Sequence, residues 1–137
     1  MRPVTRAEWI ETLRSGKYQQ AEGALVRGTA NKPAFCCLGV LCEIAGVPRE
    51  GTSQFHLRHD NPDDKFVHYI PSLLHKSVGL SADDQSALVY MNDNLKMTFA
   101  AIADALEAGP EPNDLKTWLN AKPSKPGFPK TSKVSPF

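Results

Sequence analysis

Apolar residues along this chain recur mostly at the helical spacing. Trp9, Ile10 and Leu13 form a stripe behind Thr5 and Glu8, which stand three apart as a capping box requires, and Gly16 closes the segment. A helix is predicted over about Thr5 to Ser15. From Phe35 to Ala45 the chain is almost wholly apolar, interrupted by Gly39 and Glu43 and ended by Gly46 and Pro48. A run of about 11 residues is long for a strand, so it predicts a central buried helix; a strand is the alternative that a short apolar run leaves open. Ser81 with Asp84 caps a helix running to Met91, which Asn92-Asp93-Asn94 is expected to break. Thr98 caps another, in which Phe99, Ile102, Ala103 and Leu106 share a face before Gly109 and Pro110. Shorter helices are predicted over Pro71 to Val78 and Asp114 to Asn120.

Two segments follow the strand period instead. Ala24 to Arg27 comes after a turn at Gly23, and Phe66-Val67-His68-Tyr69-Ile70 alternates and is rich in strand formers, so the two are expected to pair. Between them, Arg49 to Lys65 is rich in Gly, Asn, Asp, Pro and His and reads as a long surface loop. The fold class is α+β: a compact, helix-dominated single domain with a small two- or three-stranded sheet around a central buried helix that bears the cysteines. The domain is placed over residues 1–120. In residues 121–137 prolines alternate with Lys122, Lys125, Lys130 and Lys133 and no acid, the pattern of a flexible, solubilising tail.

Composition narrows the function classes. With 16 Lys plus Arg against 15 Asp plus Glu, the net charge of +1 lacks the basic field of a dedicated nucleic-acid binder, so any anion site must be local. No apolar run approaches the roughly 20 residues that cross a bilayer, so no membrane partner is expected. Three cysteines, Cys36, Cys37 and Cys42, cluster in one apolar run rather than spreading as a disulfide framework, which points to a reducing cytoplasm. No phosphate loop, catalytic-triad phrase or zinc-protease phrase is present. Adjacent cysteines have the wrong spacing for a zinc ribbon or finger, so neither metal nor cofactor is expected.

Several phrases together resemble a known family: Trp9 with Leu13-Arg14-Ser15-Gly16-Lys17-Tyr18, then Gln20, Gly23 and Leu25, then Cys36-Cys37-Leu38-Gly39-Val40-Leu41-Cys42, and last Asn92-Asp93 followed by Phe99, Ile102, Ala103 and Asp104. These are similar to a family of small uncharacterised proteins of tailed bacteriophages and prophages. The resemblance runs from about Trp9 to Glu107, and the cysteine phrase is its most specific part. Ala21-Glu22 departs from the family pattern, which has a glycine and a basic residue there. Leu95-Lys96 departs too, where a glycine commonly follows Asn-Asp. The resemblance implies a phage or prophage origin and a cytoplasmic life in an infected bacterium; it brings no established activity.

Two functions follow as expectations. The first is a phage accessory protein that binds a host protein or a small anionic, nucleotide-like ligand, in counter-defence. Its site would be a polar cleft lined by Arg14, Tyr18, Gln20, Arg27, Asn92 and Asp93, next to the start of the cysteine helix, where unpaired N–H groups and two arginines suit an anion. Buried polar struts paired with backbone groups would account for Tyr18, Gln20 and Asn92 equally well. The alternative is a small cysteine-dependent hydrolase or transferase using Cys36 or Cys37, a thiol at a helix start. Binding is the favoured expectation.

Overall fold

Thr5 accepts a hydrogen bond from the Glu8 N–H and opens α1 (Arg6–Arg14). The reciprocal half of the capping box is absent, because the Glu8 carboxylate pairs with Arg2. The computed structural model describes residues 2–29, 31–47 and 74–120, together with the backbone alone of residues 49–50, 54–56, 65–66 and 72–73. Its other helices are α2 (Cys37–Ile44), α3 (Ser72–Ser77), α4 (Ala82–Asp93), α5 (Phe99–Ala108) and α6 (Asp114–Asn120). The expected tail, residues 121–137, lies outside the described residues.

One sheet, in the order β1-β3-β2, is made from β1 (Gln19–Gln20), β2 (Val26–Gly28) and β3 (Pro33–Phe35). β1 runs parallel to β3, and β2 antiparallel. The domain is thus a helix-dominated α+β fold with a small mixed sheet. The expected pairing of Ala24 to Arg27 with Phe66 to Ile70 is not what forms. Thr29 and Lys32 exchange both backbone hydrogen bonds, at 3.3 and 3.1 Å, so β2 turns tightly into β3. Closing so short a loop costs less entropy than reaching across about forty residues. Phe35, expected at the start of the helix, is the last residue of β3.

The expected long loop also contains strands. β4 (Arg49–Glu50), β5 (Gln54–His56) and β6 (Lys65–Phe66) form a second antiparallel sheet with β5 in the middle. Phe66 therefore pairs with Phe55 rather than with β2, and residues 67–70 lie outside the described residues.

The core is organised by α2. Cys37, Leu38, Gly39, Val40, Leu41 and Cys42 are all buried, so this helix has no polar face to offer water over its first six residues. It packs against α1, α4 and β3. Gly39 is what admits it: a Cβ there would lie 1.8 Å from the Leu25 carbonyl oxygen, a backbone atom with no freedom to turn aside. The same oxygen accepts from the Cys36 N–H at 3.2 Å, and the buried Trp9 indole donates to the Cys37 carbonyl at 3.0 Å.

Two charges, one half-buried and one fully buried, tie the helix ends together. The Arg6 guanidinium fans across four carbonyls, of Val78 and Gly79 after α3 and of Leu106 and Gly109 at the end of α5, at 2.6 to 3.2 Å. Cations favour the negative ends of helix dipoles. Fully buried Asp84 completes the α4 capping box with Ser81 and accepts from the N–H groups of Asn113 and Lys116, so one carboxylate caps both α4 and α6.

Gly39→Ala should cost about 3 kcal/mol or more, at the upper end of overpacking penalties, because backbone must move. Gly16→Ala meets nothing within 4 Å and should cost only about 1–2 kcal/mol for its φ of +74°. Denaturant midpoints compared at equal slope measure both, and a Gly39 variant no worse than the Gly16 variant would count against the close approach.

Candidate functional site

Gln20, at the end of β1, uses its whole amide. Its Nε2 donates to Asn92 Oδ1 at 2.9 Å and to the Met97 carbonyl at 2.8 Å, while Oε1 accepts from the Phe99 N–H at 3.1 Å. Asn92 is fully buried, and its Nδ2 donates to the Ala21 carbonyl and to Asp93 Oδ1, both at 2.8 Å. Both hydrogens of each amide are spent, which fixes the orientation of each. Asn92 and Asp93 do not break α4 as expected; they form its last turn. An Asn side chain can satisfy itself through tertiary partners there, and the chain leaves the helix at Asn94. This amide pair joins the end of β1, the end of α4 and the start of α5.

Above that pair lies a cleft of about 520 Å³ lined by Gln20, Ala21, Glu22, Arg27, Lys96, Met97 and Thr98. Gly23, at φ +88°, lets Arg27 lie back over the turn, since a Cβ would stand 3.1 Å from its Nη1; that nitrogen donates to the Glu22 carbonyl at 3.0 Å. From the other wall Lys96, in the left-handed region at φ 56°, places Nζ 2.6 Å from the Glu22 carboxylate and 3.1 Å from the Asp93 carbonyl. Thr98 is the N-cap of α5, its hydroxyl accepting from the Ala101 N–H at 3.1 Å, so the positive end of that helix dipole lies at the cleft.

The six expected site residues fall in three places. Gln20 and Arg27 line this cleft, with Asn92 and Asp93 bonded to its wall residues. Tyr18 sits in another concavity with Lys17, Gln19, Lys32 and Glu43. There its ring meets Phe35 edge-on at 5.5 Å, with Lys17 Nζ 5.5 Å from the ring centre. Arg14 lies on the α1 and α5 face, paired with Asp104 at 2.7 Å and Glu107 at 3.0 Å, and those carboxylates hold its guanidinium above its ordinary pKa. One cleft shared by all six is not formed. Sequence reasoning missed Glu22 and Lys96. The only trace of Lys96 was its place after the Asn-Asp turn, since a lysine gives no sign of a left-handed backbone.

The cysteines do not open on the cleft. All three are buried, and Cys36, though it is the N-cap of α2, makes no capping bond through its sulfur. Burial pushes the Cys36 thiol up to about 11 despite the N–H groups of Gly39 and Leu38, and holds Cys37 and Cys42 well above the ordinary value. A nucleophilic cysteine needs an exposed, electropositive setting, the reverse of this one. Among the described residues no group of three His, Cys, Asp or Glu could hold a metal ion, and no helix is long and apolar enough to cross a membrane.

An unfolded thiol loses its proton near 9.0, whereas folded Cys36 keeps it to about 11. In that window the folded state binds more protons, so stability falls as pH rises, the contribution being complete below about 9. The unfolding free energy from denaturant titration should drop between pH 9 and 11 less steeply in Cys36→Ala than in the parent chain, by on the order of 2 kcal/mol. At pH 8 iodoacetamide should modify the native chain far more slowly than the urea-unfolded one; equal rates would place the thiols at the surface.

Comparison with curated proteins and with solved structures returns no match. A family model does match residues 1–72, a span that holds α1, the first sheet, α2 and the Glu22 and Arg27 wall of the cleft, but neither α4 nor α5. Covering more than half of the 137 residues, it shows that the chain belongs to the family described as Domain of unknown function (DUF8296).

Proposed function

We propose that this protein is a phage-encoded accessory protein that acts by binding in the cytoplasm of an infected bacterium, and that its cleft takes a small anionic, nucleotide-like ligand, in counter-defence. The observation that carries the binding reading is the convergence of Arg27 and Lys96 on one cleft at the capped start of α5. An oxyanion placed there gains two charge-assisted hydrogen-bond donors and the helix dipole together. The cleft rests on an amide pair, half-buried Gln20 and fully buried Asn92, with every hydrogen engaged, so its walls are set before a ligand arrives and little ordering cost remains. The thiol reading loses its footing, since no buried thiol at raised pKa reaches this cleft. The phage origin rests on the resemblance in the cysteine and Asn-Asp phrases.

Calorimetric titration of the full chain with adenosine monophosphate tests this. Binding is expected, weakened about tenfold or more in Arg27→Gln and in Lys96→Gln, the usual cost of losing a hydrogen bond to a charged group. Binding that both variants leave unchanged, or binding of an acidic peptide with no response to the nucleotide, would overturn the small-ligand reading.

A further inference from the structure

Both cations of the cleft are already engaged, and by the same residue. Arg27 donates to the Glu22 carbonyl at 3.0 Å, and Lys96 lies 2.6 Å from the Glu22 carboxylate. Glu22 is thus the anion that the cleft supplies to its own cations. The Glu22 and Lys96 side chains keep 44% and 65% of their exposure. An ion pair so open to water is weak and exchanges readily.

Resting on the anionic-ligand reading above, we infer that Glu22 is the specificity-determining residue of the cleft. A ligand phosphate takes Lys96 from it, and the released carboxylate then accepts hydrogen bonds from hydroxyl groups on the same ligand. The ligand class is a phosphate monoester of a polyol, such as a nucleotide or sugar phosphate. The charges fit this class. An ionised carboxylate is acceptor-only, so beside a bound phosphate it repels unless the ligand also brings donors. Vicinal hydroxyls supply those donors, and a fully deprotonated oxyanion such as sulfate does not. Competition from Glu22 therefore lowers affinity for every anion, and acceptance by Glu22 restores it only for those that carry hydroxyls.

The test compares the full-length parent chain with Glu22→Gln, each titrated with ribose 5-phosphate and with sulfate at matched ionic strength. The substitution is at an exposed side chain, so thermal midpoints should agree within about 3 °C. Glu22→Gln should bind sulfate about two- to fivefold more tightly, the value of a surface ion pair removed from competition. It should bind ribose 5-phosphate several-fold more weakly, so the parent's preference for the sugar phosphate collapses. A variant that tightens on both ligands equally, weakens on both equally or changes neither overturns the role given to Glu22 while leaving the anion cleft standing. If neither ligand binds to either protein, the anion reading of the cleft falls and this inference falls with it.

Discussion

The contact on which the rest of the structure depends is that of Gly39 with the carbonyl of Leu25. Over its first six residues α2 is apolar on every side, so it is stable only when enclosed. Enclosure on the sheet side requires that the helix touch the backbone of Leu25, just before β2, and no side chain fits between them. Leu25 in turn hydrogen-bonds the residue that starts the helix. Sheet, helix start and core thus form one unit, and residues 21–25, which carry Glu22 of one cleft wall, are strung between two strands of that unit. The opposite wall is held by Gln20 and Asn92, which turn a tertiary contact into a set of satisfied hydrogen bonds.

Much of the helical framework was legible because its signals are local. Thr5, Ser81 and Thr98 each cap the helix that their side chains foretell, and the apolar run around Leu41 gave the central helix. What failed depended on distance. Strand pairing could not be read from alternation, since Phe66 has the right pattern but β3 lies nearer to β2 along the chain. Asn92 reads as a helix breaker, yet its partners, Ala21 and Gln20, lie some seventy residues away, and a tertiary amide network overrides the local preference. Arg6 gave no signal at all, although it gathers the ends of two helices.

The same division separates the most recognisable phrase from the candidate site. Cys36-Cys37-Leu38-Gly39-Val40-Leu41-Cys42 stands out in the sequence because of packing: small residues let a helix enter a crowded core. The cleft draws on less conspicuous residues, Glu22, Arg27 and Lys96, whose charges matter only because the fold brings two distant segments together. Four of the six expected site residues stay together in this sorting. Gln20, Arg27 and the Asn92-Asp93 pair meet at one place, while Arg14 serves the α1 and α5 face and Tyr18 packs on Phe35.

The most direct test of the cleft is amide chemical-shift mapping of the nitrogen-15-labelled full chain during titration with ribose 5-phosphate. The predicted result is saturable perturbation of the backbone amides of Glu22, Gly23, Arg27 and residues 96–100, with those of Arg14 and Tyr18 unmoved. Perturbation centred on Tyr18 and Lys32 or on Arg14, or none anywhere, would contradict a ligand cleft at the start of α5.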